Sequence, residues 1–331
     1  MAHTVLYLSS APQAHREVTL SVEPPEFEHV FVEQGDTPEQ LRTKLAEAEF
    51  IIGGRITAEQ IAAAPKLRMI QMPGVGYENI DVGAADARGI PVAITPEGTI
   101  VGVSEHVVLL MLAIYKHLTE AHNALKEGRW IHDDLRHVAL MLERKRVGIL
   151  GMGRIGREVA KRLRGFDVEL VYHDIHRQTA ENEQVMGIRY LSLDELLSTA
   201  DLITLHVFLA EGSKHLIGER ELGLMKRTAV LINTSRGGVV DEQALYAALK
   251  ERRILAAGLD VFEVEPTPAD NPILTLDNVL VTPHMATANR DAMIQKSEAC
   301  YANFRRVLDD RPPINVVKPY TVVEAAAVPA S

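Results

Sequence analysis

The chain has 331 residues, of which 47% are hydrophobic, so it can bury more than one core, and its length favours two domains. Acidic residues outnumber basic ones by 45 to 35, for a formal charge of -10, and no lysine or arginine cluster offers a surface for a polyanion. We therefore expect no nucleic-acid partner, and the single cysteine, Cys300, excludes an internal disulfide framework.

Membrane insertion and metal binding are not indicated by the sequence either. The longest apolar run, residues 107–115, is far shorter than the ~20 residues that a membrane helix needs, and no charged segment precedes an apolar stretch at the N-terminus. Two histidine pairs, at 117 and 122 and at 132 and 137, miss the spacing that places two ligands on one helix face. We expect no membrane partner, no metal and a cytoplasmic location.

The first part of the chain alternates short apolar runs with helical segments, which indicates parallel strands in βαβ units. Thr37 with Gln40 and Thr57 with Gln60 have the spacing of capping boxes, and Pro38 suits the first helical position. The runs lie near residues 4–9, 28–32, 50–54, 67–72 and 91–95.

A second set of strands follows residue 145, and Ser192 with Glu195 repeats the capping signal there. The expected strands are 146–151, 168–174, 201–207, 229–235, 256–262 and 278–284. The fold class is therefore α/β, with two Rossmann- or flavodoxin-like domains built on parallel sheets.

Two helices decide the domain boundaries. The predicted helix over 101–120 is apolar on every face, so it must be covered all round, by both domains or by a second subunit. An amphipathic helix over 287–310 comes after the last strand, and we expect it to pack back on the first domain. The predicted substrate-binding domain is thus discontinuous, 1–98 with 287–331, and the predicted nucleotide-binding domain is 99–286.

A glycine-rich loop lies between the first strand and first helix of the second set. Gly151, Gly153 and Gly156 follow the Gly-x-Gly-x-x-Gly order, which gives a tight turn, close backbone approach to a pyrophosphate and close helix packing. Arg154 and Ile155 complete this predicted cofactor loop. Asp174, at the end of the next strand, can accept the ribose hydroxyls and repel a 2'-phosphate. NAD is the predicted cofactor, and NADP is the less favoured alternative.

Three later motifs contain residues suited to hydride transfer involving a 2-oxo acid. Arg236 follows a strand, where a guanidinium can hold a carboxylate in a bidentate fork. His284 ends another strand and is a natural proton shuttle near neutral pH. Asp260 and Glu265 lie between them in the motif AAGLDVFEVEP.

Over nearly the whole chain, the sequence resembles the D-isomer-specific 2-hydroxyacid dehydrogenase family. The motifs, in order, are PGVGYENIDV, SEH at a helix start, GMGRIG, LHV, NTSRGGVVDE, LDVFEVEP and TPH. The resemblance implies an NAD(H)-dependent enzyme that interconverts a small 2-oxo acid and its D-2-hydroxy acid, with a glyoxylate or hydroxypyruvate reductase favoured. Separately, the helix over 101–120, which is apolar on every face, favours a homodimer.

The resemblance also implies roles for single residues. Arg236 would bind and polarise the substrate, His284 would be the general acid/base, and Glu265 would favour the protonated form of His284. Backbone N–H groups of Val75 and Gly76 would help to bind the substrate carboxylate. The remaining predicted cofactor residues are Thr234, Asp260 at the nicotinamide carboxamide, and His206 as packing or loop support. Trp130 resembles a segment that reaches a partner's substrate mouth in some relatives, or it packs on its own domain.

Two alternatives remain open. The chain could be a phosphoglycerate or formate dehydrogenase of the same family. It could instead be a dinucleotide-sensing binding protein, like the corepressors that share this fold and motif order. Because such proteins can retain Arg236, Glu265 and His284, turnover is the property that separates them from an enzyme.

Overall fold

The computed structural model describes residues 2–317 of the chain. Its residues fall into two compact units: the first contains those up to Thr99 together with those from Arg290 onward, and the second is Ile100–Asn289. Residues 318–331, part of the expected C-terminal segment of the first domain, lie outside the described residues.

Five parallel strands form the sheet of the first unit, in the order β2-β1-β3-β4-β5. This is the flavodoxin-like strand order. The five expected strands are all present, and their ends differ from expectation by at most two residues. In chain order the elements are β1 (His3–Tyr7), α1 (Gln13–Leu20), β2 (Phe27–Phe31), α2 (Pro38–Glu47), β3 (Phe50–Ile52), α3 (Ala58–Ala62), β4 (Met69–Met72), α4 (Val82–Asp86) and β5 (Val92–Ile94).

Seven parallel strands form the sheet of the second unit, in the order β12-β11-β10-β9-β6-β7-β8. The six strands β8-β7-β6-β9-β10-β11 follow the Rossmann order, in which the first strand, here β6, lies at the switch point, and β12 extends the sheet beyond β11. Sequence analysis missed β8, a three-residue edge strand. The remaining elements are α5 (Thr99–Tyr115), α6 (Leu118–Lys126), α7 (His132–Arg136), β6 (Arg146–Leu150), α8 (Arg154–Leu163), β7 (Glu169–His173), α9 (Ala180–Met186), β8 (Ile188–Tyr190), α10 (Leu193–Thr199), β9 (Leu202–Leu205), α11 (Glu219–Leu224), β10 (Val230–Asn233), α12 (Glu242–Lys250), β11 (Ala256–Leu259), β12 (Val279–Val281) and α13 (Arg290–Leu308).

Helix starts follow the predicted capping signals. In α2, α3 and α10 the Thr or Ser hydroxyl accepts the third backbone N–H, and the third side chain accepts the N–H of the capping residue. Pro38 occupies the first position of α2. These reciprocal bonds satisfy donors that a helix start otherwise leaves unpaired.

The single helix predicted over 101–120 is wrong, because the chain forms two helices there. His117 has φ 51° and ψ 40°, a left-handed conformation that cannot continue a right-handed helix. Helices α5 and α6 are bent by 61° at this break. In the part of the chain that the structure describes, no helix is by itself long and apolar enough for a membrane span, although this bent pair passes that test as a unit.

Helix α13 packs on the sheet of the first unit, as its late position in the chain led us to expect. Tyr301 stacks on Phe27 and Phe304 stacks on Phe50, with ring centroids 5.5 Å and 4.4 Å apart. These rings join Val5, Met69 and Cys300 in one buried cluster. Aromatic packing between α13 and the two strands β2 and β3 thus makes the C-terminal helix part of the first core.

A buried histidine lies at the edge of this aromatic cluster. The His29 side chain is fully buried, its Nδ1 lies 2.6 Å from Glu23 Oε1, and its ring stacks on Phe31. Burial lowers the pKa of His29, and the opposing effect of the Glu23 carboxylate does not offset it. The folded state therefore favours neutral His29.

We expect His29→Gln to reduce the acid sensitivity of folding. Because the folded pKa lies below the unfolded value, the unfolded chain binds more protons, so stability is present above about pH 6.5 and falls as the pH drops below it, by up to about 1.4 kcal/mol per unit. Urea unfolding followed by circular dichroism at pH 7.5 and 5.5 measures the slope. An unchanged slope in His29→Gln would show that His29 is not a source of it.

Candidate active site

The glycine loop joins β6 to α8 as a tight turn that only glycine permits. Gly151 has φ 94°, and a Cβ there would lie 2.5 Å from the carbonyl oxygen of His206. A Cβ on Gly156 would lie 2.1 Å from the carbonyl oxygen of Gly151. Gly153 precedes α8 and faces open space, so the backbone is accessible where a pyrophosphate would meet the helix N-terminus.

Asp174 lies directly after β7, and its carboxylate holds the glycine loop. Its two oxygens accept the N–H groups of Met152 at 2.6 Å and His176 at 2.8 Å. The nearby cation Arg177 pairs with Glu183 at 2.9 Å, and this pairing raises the pKa of Arg177. The Arg177 cation is thus engaged by another carboxylate, and the contact of Asp174 with a ribose stays a prediction.

His206 and Thr234 directly follow the neighbouring strands β9 and β10. The His206 ring bonds Thr204 Oγ1 at 3.0 Å, and burial lowers its pKa to about 3, so the imidazole is neutral. Its backbone carbonyl is the group that excludes a side chain at Gly151. Thr234 Oγ1 is buried and, within residues 2–317, has no hydrogen-bond partner. These features fit the predicted role of His206 in supporting the glycine loop. They also leave the Thr234 hydroxyl able to donate or accept a hydrogen bond with a cofactor.

Arg236, Asp260 and His284 follow three adjacent strands. Register pairs Asn233 of β10 with Leu259 of β11, and Leu259 with Val281 of β12, so the three strands end together. The two loops after β10 and β11 touch closely: a Cβ on Gly237 would lie 1.9 Å from the carbonyl carbon of Phe262. The parallel sheet therefore brings these loops to one edge.

The turn that carries Arg236 is shaped by Asn233. Asn233 Oδ1 accepts the backbone N–H of Ser235 at 3.0 Å, and its Nδ2 donates to the carbonyl of Arg236 at 3.0 Å. Arg236 Nη1 donates to the carbonyl of Ser235 at 2.8 Å. A buried amide thus fixes the backbone on both sides of the arginine.

Glu265 and His284, which the sequence predicts to act as an acid–base pair, lie in contact. His284 Nδ1 lies 2.7 Å from Glu265 Oε2, and Glu265 Oε1 accepts the N–H of Phe262 at 3.0 Å. The side chain of His284 is 50% exposed and that of Glu265 is 35% exposed. Because Nδ1 faces the carboxylate, Nε2 is the ring nitrogen directed away from Glu265. His284 also has φ 50°, a left-handed conformation that costs on the order of 1–3 kcal/mol for a non-glycine residue.

Asp260 is fully buried and holds the turn around His284. Its Oδ1 accepts the Thr282 hydroxyl at 2.6 Å and the N–H of Met285 at 2.8 Å, and its Oδ2 accepts the N–H of Ala286 at 2.9 Å. Its backbone carbonyl accepts the N–H of His284 at 2.8 Å. These contacts give Asp260 a structural task that sequence analysis did not foresee, and its predicted contact with a nicotinamide stays a prediction.

Val75 and Gly76 belong to the first unit, whereas all other predicted site residues belong to the second. They lie in the turn after β4 and are half-buried. The N–H of Thr95 donates to the neighbouring carbonyl of Gly74 at 2.7 Å, which ties this turn to the end of β5. Their binding of a substrate carboxylate stays a prediction.

Comparison with known proteins identifies the class. The profile described as "D-isomer specific 2-hydroxyacid dehydrogenase, NAD binding domain" matches residues 108–286. The chain belongs to the D-isomer specific 2-hydroxyacid dehydrogenase family, and its second unit carries that family's NAD-binding domain.

Two relatives of known name and one solved structure are similar to most of this chain. A glyoxylate reductase of Korarchaeum cryptofilum is 44% identical over 253 residues, 75% of each chain. A D-3-phosphoglycerate dehydrogenase of Methanocaldococcus jannaschii is 40% identical over 298 residues, which is 88% of this chain and 56% of that protein. The chain thus spans about half the length of this second relative. The crystal structure of the TT0316 protein from Thermus thermophilus superposes with a TM-score of 0.83 at 32% identity, covering 95% of this chain and 99% of that one.

Replacing Asp174 by Asn is expected to lower kcat/KM for NADH about tenfold, or about 1.4 kcal/mol, and to improve the relative use of NADPH. The amide loses both the charge that repels a 2'-phosphate and part of the hold on Met152. Steady-state kinetics with both cofactors measure the ratio, and Glu181→Gln, an exposed acid in α9, is the control. An unchanged NADH-to-NADPH ratio would contradict the assignment.

Proposed function

We propose that this protein is an NAD(H)-dependent reductase that interconverts a small 2-oxo acid and its D-2-hydroxy acid, with glyoxylate or hydroxypyruvate as the favoured substrate. The observation that carries the proposal is the contact between Glu265 and His284 at 2.7 Å, at the sheet edge where the turn of Arg236 also lies. A cation, a proton donor and an anion that stabilises that donor are the groups this reaction requires.

The second unit contains residues suited to the cofactor. Gly151, Gly153 and the start of α8 would hold the pyrophosphate, Asp174 would accept the ribose hydroxyls, and Thr234 has a buried hydroxyl without a partner among residues 2–317. When bound, NADH supplies the hydride for reduction of the substrate carbonyl.

The chain's own residues supply binding and the proton. Arg236 pairs with the substrate carboxylate and draws electron density from the neighbouring carbonyl. His284 donates a proton from Nε2 to the carbonyl oxygen as the alcohol forms, and accepts it in the reverse direction. Glu265 holds the ring through Nδ1 and stabilises the imidazolium that must be present before reduction.

A phosphoglycerate dehydrogenase is the second candidate, supported by the 40% identity to the relative that carries this name. A dinucleotide-sensing corepressor is the alternative from another class. Substrate assays separate the three, because a reductase turns over small 2-oxo acids, a phosphoglycerate dehydrogenase oxidises 3-phosphoglycerate, and a sensor binds NADH without turnover.

We expect NADH oxidation with glyoxylate or hydroxypyruvate to exceed turnover of pyruvate, phenylpyruvate and 3-phosphoglycerate. In the same assay, Arg236→Lys is expected to lower kcat/KM about a hundredfold, because a point charge cannot reproduce the planar fork. Arg227→Lys, at an exposed position of the same unit, is the control. NADH binding without any turnover would contradict the enzyme, and a near-normal Arg236→Lys would contradict the role of the guanidinium.

Glu265→Gln is expected to shift the alkaline fall in kcat/KM for reduction to lower pH, because a neutral amide stabilises the imidazolium less than a carboxylate does. Oxidation requires the neutral imidazole and gains activity at lower pH. The measurement is kcat/KM against pH in both directions, with deuterated NADH as a check that hydride transfer limits the rate. An alkaline fall in kcat/KM that stays at the same pH, or moves to higher pH, would contradict the proposed role of Glu265 in the acid–base pair.

We also propose that the protein is a homodimer. Helix α5 buries Val103, Val107 and Leu110 but leaves Val101 41% and Leu109 50% exposed, so one chain does not cover its apolar surface. Trp130 is 80% exposed, which argues against packing on its own domain. The other exposed large apolar side chains of this stretch are Leu118, Leu125, Val138 and Met141. A second copy of the same surface is a suitable cover.

Light scattering after size-exclusion chromatography is expected to give the mass of two chains for the wild type. Leu109→Glu, which places a charge on the exposed edge of α5, should shift this mass towards that of one chain. Val185→Glu is the matched control, since Val185 is also exposed but lies in α9. A wild type of single-chain mass would rule out the dimer.

A further inference from the structure

One face of α5 packs directly on the turn that carries His284. A Cβ on Gly102 would lie 2.8 Å from the carbonyl oxygen of Ala286 and 3.5 Å from Thr287 Cα. His106 lies one helical turn later on the same face, and its Nε2 is 3.0 Å from Thr282 Oγ1 and 3.5 Å from Asp260 Oδ1. The helix therefore touches the turn on both sides of His284 in the sequence.

The direction of each hydrogen bond follows from the chemistry of the groups. The Asp260 carboxylate can only accept, so the Thr282 hydroxyl donates its one proton to Oδ1, at 2.6 Å. That hydroxyl must then accept from His106, which places the ring proton on Nε2. Burial lowers the pKa of His106, against the influence of Asp260, so the ring is a neutral donor. A continuous path leads from His106 through Thr282 to Asp260.

Asp260 is the last residue in this chain of hydrogen bonds, and it also bonds the backbone of His284 and of the two residues that follow it. Its carbonyl holds the N–H of His284, and its carboxylate holds the N–H groups of the next two residues. His284 needs this support, since its φ of 50° is a conformation that a non-glycine residue keeps only when its surroundings impose it. The orientation of the imidazole thus depends on where the Asp260 carboxylate lies.

We propose that His106 and Thr282 are positioning residues for His284 and act through Asp260. The proposal rests on the acid–base role of His284 in the proposed function. Neither residue touches a reacting atom; they fix the carboxylate that fixes the turn. A small displacement of a catalytic group lowers turnover far more than it lowers binding.

The test compares Thr282→Val, which keeps the shape of the side chain but removes the hydroxyl, with Thr282→Ser, which keeps the hydroxyl. Thr282→Val is expected to lower kcat by about tenfold to a hundredfold, with KM for the 2-oxo acid and the Kd of NADH within about twofold of wild type. Thr282→Ser should restore most of the loss. Thr275→Val, which removes an exposed hydroxyl bonded to Pro272 in the same unit, is the matched control.

A second pair of variants covers the case in which Thr282→Val does not fold. His106→Leu removes the donor and should lower kcat in the same way, whereas His106→Gln keeps an N–H donor and should recover part of it. A normal kcat in folded Thr282→Val or in folded His106→Leu would overturn the proposal. A loss carried by KM or by NADH binding, with kcat unchanged, would also overturn it.

Amide hydrogen exchange of Met285 and Ala286 separates this proposal from the proposed function. Faster exchange at these two amides in Thr282→Val, with Thr275→Val like wild type, supports the positioning role of Thr282 whether or not the wild type turns over a 2-oxo acid. Unchanged exchange overturns that positioning role even in an active enzyme. Absence of turnover in the wild type, with faster exchange in the variant, contradicts the reductase alone.

Discussion

Parallel pairing of β10, β11 and β12 is the constraint on which the candidate site depends. Paired in register, the three strands end at one edge, so the residues that follow them meet although they are far apart in the chain. The edge alone does not orient the side chains. Asn233 shapes the turn of Arg236, and Asp260 shapes that of His284, each by hydrogen bonds from a buried polar group to neighbouring backbone. Most buried polar groups have hydrogen-bond partners, and the partners of Asn233 and Asp260 lie in the turns that carry Arg236 and His284.

Most of the fold could be predicted from the sequence, because strands buried on both faces are continuous apolar runs that alternate with helices. The strand positions were correct for this reason, and the three capping boxes were correct because the Ser or Thr and the Gln or Glu three residues later form a local signal. The edge strand β8 was missed because three residues beside a helix leave no distinct pattern. The break between α5 and α6 was missed because it depends on the backbone angles of one residue, His117, which composition does not determine.

The candidate site was predictable only where a motif fixes the chemistry. The glycine loop and the pairing of Glu265 with His284 follow from motifs. The structure shows the tight turn at Gly151 and places Glu265 in contact with His284, as expected. The structural task of Asp260 could not be predicted. It requires that Thr282 and His106, which are 176 residues apart, meet beside the same carboxylate. The SEH motif, which lies within α5, was a signal that this histidine matters, but it did not show which group the ring contacts.

Helix α5 connects the candidate catalytic turn with the apolar surface proposed to bind a second copy. The same helix that contacts the His284 turn through Gly102 and His106 carries the exposed side chains Val101 and Leu109. A second copy that covers these two side chains would also restrain the helix against the turn. Association between copies would then adjust the catalytic rate without any change at the substrate, and turnover per molecule would fall on dilution. Quaternary structure would in that case act as a control on reaction speed, transmitted by a single helix.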